Sequence, residues 1–274
     1  MKTRVISGIV IALVLAGVLI PGGYLLAAVL FAVSLISYYE LTKATGVHQE
    51  NVRFNALEIC GYIAIIVHYV QMILVGSHKY YIFSVMFAFF LLMVCYVLNF
   101  PKFKAMQAMA AFFCFVYAPV NMSFVYLLRL RPYGQFFAWI PFIAWVCDTS
   151  AYFAGRAFGK HKMAPVLSPK KTIEGAIGGV LGSVIVGAIF GYIIFSHETH
   201  NISVIYLLML ITFIGSIIAQ LGDLLASGIK RDHNIKDYGN LIPGHGGIMD
   251  RFDSVIFVIP CIYFLVSVAL PVIL

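Results

Sequence analysis

Residues 203–226, SVIYLLMLITFIGSIIAQLGDLLA, run directly into SGIKRDHNIKDYGNLIPGHGGIMDRFD (227–253) and then into SVIFVIPCIYFLVSVALPVI (254–273). A helix rises about 1.5 Å per residue, so about 20 apolar residues cross a hydrocarbon core of about 30 Å. The two outer stretches have that length, and the middle one is polar. In a chain that is 62% hydrophobic and 11% charged, nine charged side chains lie between Asp223 and Asp253. Charges of both signs, glycines around a histidine and apolar walls on either side describe a site set between membrane helices.

The rest of the chain repeats the apolar pattern. Mean hydropathy is +0.98 over 274 residues, far outside the range of water-soluble domains. Nine spans are expected, at about 5–20, 23–39, 56–75, 80–98, 105–128, 136–155, 174–195, 203–226 and 254–273. The expectation is an all-α polytopic membrane protein with a cytoplasmic N-terminus, forming one membrane domain over 1–274. The first two spans are separated only by Pro21-Gly22-Gly23 and read as a hairpin. Lys2 and Arg4 before an apolar run resemble a secretion signal, but no small-residue cleavage site follows, which favours a retained helix. Spans up to about residue 130 are rich in Phe, Leu and Val and suit scaffolding and lipid contact. Residues 131–274 gain acids, glycines and long polar connections, the marks of a catalytic half. No internal repeat is evident, which weakens an inverted-repeat transporter.

Loop charges orient the chain. With nine spans and an inside N-terminus, fifteen of the 18 Lys and Arg side chains fall on the cytoplasmic side, leaving Lys79, Arg129 and Arg131 outside. The net charge of +7 then belongs mostly to a face that meets anionic headgroups. Basic residues scattered along membrane edges, with no accompanying motif, argue against nucleic acid as a partner. The cysteines at 60, 95, 114, 147 and 261 lie in or beside apolar spans and form no Cys-x-x-Cys pair. They read as reduced, buried thiols acting as small hydrophobes.

Three acids stand in or at the edge of spans: Asp148, Asp223 and Asp250, with Asp253 one turn after the last. Carboxylates at such depth are costly and commonly face a protein interior or a water-filled cavity. The structural alternative for each is an ion pair that fastens two helices, and it is strongest for Asp148. Asp223 and Asp250 flank the polar block without a nearby cysteine, a donor set suited to Mg²⁺. That ion takes one or two carboxylates and fills its remaining positions with water and phosphate oxygens. Lys230, Arg231 and Lys236 can neutralise phosphate, although a juxtamembrane basic cluster touching lipid headgroups has the same composition. Gly244, Gly246 and Gly247 bracket His245, and their amides could form an anion nest; Pro243-Gly244 is equally consistent with a plain turn.

A second polar stretch, GRAFGKHKMAPVLSPKKTIEG, covers 155–175. Ser168-Pro169 is expected to open a turn and Thr172 to cap a helix beginning near Ile173, with Glu174 favourably placed at its start. Lys170 and Lys171 oppose that helix dipole, and an anionic ligand would give them a purpose. The following span carries Gly175, Gly179, Ser183, Gly187 and Gly191 at four-residue intervals, a close-packing face for an intramolecular neighbour or a homodimer.

Taken together, Ser227, Lys230, Arg231, Lys236, Asp237, Gly239, Ile242, Pro243, His245, Gly246, Gly247, Ile248, Asp250, Arg251, Phe252 and Asp253 resemble, in identity and spacing, the signature of the phosphatidate cytidylyltransferases, also called CDP-diacylglycerol synthases. The resemblance extends upstream to Asp148-Thr149, Ala151-Tyr152 and SPKKTIEG at 168–175. It covers the second half by motif and the whole chain by length and hydrophobicity. One departure is Ala226, where many relatives carry Glu before the signature serine, so no acid acts at 226 here.

The resemblance implies condensation of CTP with phosphatidate to CDP-diacylglycerol and pyrophosphate, with Mg²⁺ on Asp223 and Asp250 and a second cation nearby. It assigns Lys230, Arg231, Lys236, Asp237, His245 and Asp253 to the reaction, and Asp148, Ser168, Lys170, Lys171, Thr172, Ser227, Gly246, Gly247 and Arg251 to substrate. It implies a bacterial inner membrane, with the site facing the cytoplasm where CTP is available. Rivals fit less well. A CDP-alcohol phosphotransferase requires an Asp-Gly and Ala-Arg pattern with further spaced aspartates that this chain lacks. A lipid or polyprenol kinase shares the Mg²⁺-nucleotide logic, and a transporter explains buried acids without the phosphate-type ligands.

Overall fold

The computed structural model describes residues 2–49, 52–194, 200–242, 244 and 246–273. Its helices are α1 (Lys2–Leu19), α2 (Gly23–Ala44), α3 (Ala56–Val75), α4 (Tyr81–Leu98), α5 (Ala105–Phe115), α6 (Asn121–Arg129), α7 (Gly134–Phe137), α8 (Ile143–Phe158), α9 (Ile173–Ile194), α10 (Ser203–Asp232) and α11 (Met249–Ile273). Among the described residues, eight helical spans are long and apolar enough to cross a membrane. The protein is an all-α polytopic membrane protein. The expected span at about 5–20 falls in α1, which is 18 residues long and whose described apolar stretch is Ser7–Leu19.

The expected span at 105–128 is not one regular helix. A π-helical segment, Val116–Val120, joins α5 to α6 and contains Pro119. Proline has no amide proton for the helical ladder, and a wider turn absorbs that gap. Pro141 likewise sits in a 3₁₀ turn, Ile140–Phe142, that leads into α8.

Two further departures lie in the polar stretches. Residues 162–172 form an antiparallel hairpin, β1 (Lys162–Ala164) and β2 (Ser168–Thr172), with Lys162 opposite Thr172 and Ala164 opposite Ser168. Ser168 and Pro169 therefore lie in a strand; the turn is at 165–167, where Pro165 supplies the restricted φ. Helix α10 runs to Asp232, six residues beyond the expected end of its span, so Ser227, Lys230 and Arg231 are helical. Two cations in a last turn favour that extension by meeting the negative end of the helix dipole.

The chain packs as two compact units: Met1–Gln135 with Asp232–Phe252, and Phe136–Arg231 with Asp253–Leu274. In the first, α4 buries Ser84, Ala88, Leu92 and Cys95 and turns Phe83, Phe90 and Val97 outward, each more than 60% exposed. Small inward and large outward residues suit a helix whose outer solvent is lipid, because close backbone approach drives packing there. Several polar side chains on the inner faces bond across helices. The His68 ring bonds Ser84 Oγ at 2.8 Å and Ser123 Oγ at 3.0 Å, and Ser34 Oγ meets the Tyr69 hydroxyl at 2.7 Å. Asn55 and Glu58 form a capping box at the start of α3. Arg129 donates to the carbonyls of Leu19 and Ile20, at 3.0 Å each, and closes the C-terminal end of α1.

In the second unit the small-residue stripe of α9 is consumed within the chain. A Cβ on Gly179 would lie 2.9 Å from the Cys147 carbonyl, and one on Gly191 3.1 Å from Ile205 Cα. The stripe serves α8 at one end and α10 at the other. All five cysteines are free thiols, buried or half-buried.

Candidate active site

The hairpin, α8, α9 and α10 enclose a cavity of about 340 Å³ in the second unit. Helix α8 contributes Asp148, Ala151, Tyr152, Gly155 and Arg156. Strand β2 adds Lys170, Lys171 and Thr172, and α10 adds Gln220 and Asp223. The Thr172 hydroxyl accepts from the Gly175 amide at 3.2 Å, the expected N-cap of α9. Glu174 accepts from the amides of Lys160 and His161, at 3.1 and 3.2 Å, and meets the His161 ring at 2.6 Å. It therefore ties the base of the hairpin to α9 as well as complementing the helix dipole. These bonds fix β2 along the cavity and bring two lysines to its wall.

Charged side chains alternate in sign here. Lys171 Nζ pairs with Asp223 Oδ2, and each side chain is 24% exposed. Lys230 Nζ lies 3.6 Å from Asp253 Oδ2. Asp253 is 8% exposed, accepts from the Ser254 amide at 2.8 Å, and lies within electrostatic range of Asp223 and Asp148. Asp148 Oδ2 accepts from Ser254 Oγ at 3.1 Å. Glycine at 222 lets α10 and α11 approach beside these acids, since a Cβ there would sit 2.7 Å from Phe257 Cβ. Gln220 donates to the Ala176 carbonyl at 3.1 Å and holds α10 to α9. Three aspartates with two lysines in a partly buried setting suit ligands that bring both negative phosphate and a cation.

In the first unit, residues 236–251 carry the rest of the expected site. Asp250 is 7% exposed. Its Oδ2 accepts from the amides of Tyr238, at 2.8 Å, and Gly247, at 3.0 Å. Gly246 has φ +83°, and its carbonyl accepts from the Ile242 amide at 2.8 Å. The amide of Gly247 is thus engaged by a carboxylate of the chain itself. Lys236 and Asp237 are exposed and Arg251 is half-buried. His245 and Pro243 lie outside the described residues.

The cavity gathers Asp148, Lys170, Lys171, Thr172 and Asp223 from the sequence-based set. Ser227, on α10, and Ser168, on β2, are half-buried and do not line it. Arg156 and Gln220 line it without having been singled out. Arg156 counted only as a loop charge, whereas Gln220 is a lone amide three residues before Asp223 in an apolar span, a signal the sequence carries. Glu40, on α2, was also passed over; it accepts from the amides of Ile248 and Met249, at 3.0 and 2.7 Å.

Among the described residues, no group of three or more His, Cys, Asp or Glu side chains is arranged to hold a metal ion. The side chains that line the cavity offer the carboxylate oxygens of Asp148 and Asp223 and the Gln220 amide, and include no thiol. That donor set fits a hard cation such as Mg²⁺, which needs few protein ligands when phosphate supplies the others.

A polytopic helical protein with an acid- and lysine-lined cavity at a helix–hairpin junction fits the class of membrane nucleotidyltransferases. The chain belongs to the cytidylyltransferase family, whose model matches residues 2–269. Among curated relatives, a phosphatidate cytidylyltransferase of Staphylococcus epidermidis is 36% identical over 265 residues, covering 95% of this chain and 96% of that protein. The enzymes of the same name from Staphylococcus haemolyticus and Staphylococcus aureus are 37% and 36% identical over 263 residues, with the same coverage of each chain.

Proposed function

We propose that this protein transfers a cytidylyl group from CTP to phosphatidate, giving CDP-diacylglycerol and pyrophosphate. The observation that carries this reading is the cavity in which Asp223 and Asp148 face Lys170, Lys171 and Arg156, within a chain that matches the cytidylyltransferase model from residue 2 to 269.

A phosphate oxygen of phosphatidate attacks the α-phosphorus of CTP. The new P–O bond forms as the bond to the β-phosphate oxygen breaks, and the electron pair leaves with pyrophosphate. The nucleophile is already anionic, so no Ser-His-Asp device is needed. The work lies in alignment and in screening the charge of two anions. Lys170, Lys171 and Arg156 supply positive charge on the hairpin side of the cavity. Lys171 exchanges its Asp223 partner for phosphate when substrate enters. Lys230, held by Asp253, and Arg231 supply further charge from α10, while Lys236 and Arg251 are assigned to phosphate in the same reaction. Asp237 and His245 position ligands, as do Ser168, Thr172, Ser227 and the Gly246 and Gly247 backbone.

Asp223 is the proposed Mg²⁺ ligand on the cavity side. Asp250 carries the same assignment. When bound, such an ion supplies charge neutralisation for the departing pyrophosphate. A second cation belongs to the same proposal. Residues 131–274 form the catalytic half and 1–130 mainly the scaffold and lipid-facing helices. The site faces the cytoplasm of a bacterial inner membrane, where CTP arrives from water and phosphatidate from lipid.

The test is turnover of purified, folded protein in mixed micelles with CTP, Mg²⁺ and phosphatidate. Equimolar CDP-diacylglycerol and pyrophosphate are expected. A folded preparation that forms neither sinks the proposal.

A further inference from the structure

Glu40 lies in the last turns of α2, in the apolar run GYLLAAVLFAVSLISYYELTKA. It is 5% exposed, and among the described residues its carboxylate forms no ion pair. A buried carboxylate requires compensation. Here the start of α11 provides it, 208 and 209 residues away in sequence, through the amides of Ile248 and Met249. Amides at a helix N-terminus are free of intrahelical partners and carry the positive end of the dipole, so a carboxylate there makes charge-assisted bonds.

The signature glycines fit around the same group. A Cβ built on Gly247 or on Gly239 would collide with the Glu40 carboxylate. These two glycines are required by an acid that lies outside the motif, on a helix that carries none of its residues. Asp250 completes the arrangement by accepting from Tyr238 and Gly247. Two carboxylates, one from α2 and one from α11, therefore hold the backbone amides of Tyr238, Gly247, Ile248 and Met249.

We propose that Glu40 is a positioning residue for the reaction: it fixes the backbone at Ile248 and Met249 and with it the start of α11, and so sets the placement of Asp250 and Arg251. It does not touch substrate. This inference rests on the proposed cytidylyl transfer, but the pin itself can be read without turnover.

The test combines amide exchange with kinetics on the full-length protein in micelles. In Glu40→Gln, an isosteric change that removes the charge, the Ile248 and Met249 amides are expected to exchange about tenfold faster, with the increase confined to 238–250 and the melting temperature kept. Turnover is expected to fall about tenfold or more in kcat, with KM for CTP nearly unchanged, because alignment is lost rather than charge in the cavity. Gly247→Ala should be much less damaging in a Glu40→Ala background than alone, since the collision is then gone. Unchanged exchange at Ile248 and Met249 in Glu40→Gln would overturn the proposal. So would faster exchange there with wild-type kcat, or Gly247→Ala and Glu40→Ala effects that simply add. If the unaltered protein makes no CDP-diacylglycerol while Glu40→Gln still shows the local exchange, the proposed reaction fails and the pin stands.

Discussion

Asp223 and Lys171 meet at the cavity wall as an ion pair of which each member is only partly shielded. Its value lies in what each group can be released to do, since partly exposed pairs add little to stability. Asp223→Asn should therefore lower kcat/KM by about 10²–10³-fold while leaving the melting temperature within a few degrees, as for loss of one electrostatic group in a reaction centre. Near-normal turnover of the folded variant would remove Asp223 from the proposed machinery. Lys171→Met should raise KM for CTP, and Lys171→Arg should recover part of the loss, as measured by initial rates against CTP concentration. Asp148, Asp223 and both lysines were legible in the sequence because ionisable groups stand out against apolar spans. Glu40 was not. It falls one residue past the expected end of its span at 39, so it reads as an edge charge, and its partners are backbone amides that no side-chain pattern announces.

The helices were legible to within a few residues wherever about 20 apolar positions ran together, as in α3, α4 and α9. Irregular segments were not. β1 has three residues and β2 five, too short for an alternating pattern, and their pairing depends on a turn at 165–167 that begins with Pro165. The end of α10 was missed because polarity marks a departure from the bilayer and says little about the end of a helix. Thr172 links these elements as the N-cap of α9 at the end of β2. Thr172→Ala should cost about 1 kcal/mol and Thr172→Ser much less, measured by denaturant unfolding in micelles. The α9 stripe gives a sharper test of packing. Gly179 faces the Cys147 carbonyl and Ala151 Cβ at 2.9 and 3.0 Å for an added Cβ. Gly179→Leu should thus yield little folded protein, whereas Gly228→Ala, whose added Cβ would meet only Leu167 Cδ2 at 3.7 Å, should be milder. Equal yields for the two would contradict the packing described.

Across the whole molecule, sequence charge and helix ends together define a topology that can be tested. Lys162 lies in β1 and is exposed. In a background with the five native cysteines replaced, Lys162→Cys should react with a membrane-impermeant maleimide in inverted membrane vesicles and be protected in intact spheroplasts. The reverse pattern would contradict the fifteen-to-three charge bias as a guide to orientation. Large exposed side chains such as Phe83, Phe90, Leu74 and Val97 then face lipid. The account stands or falls on which phosphorus of the nucleotide enters the lipid. Folded protein, Mg²⁺ and phosphatidate should be supplied with CTP labelled either at the α- or at the γ-phosphorus. The account predicts that α-label appears in CDP-diacylglycerol and γ-label leaves in pyrophosphate. Label from the γ-phosphorus in the lipid, as a lipid kinase would produce, or no lipid label from either nucleotide, would contradict it.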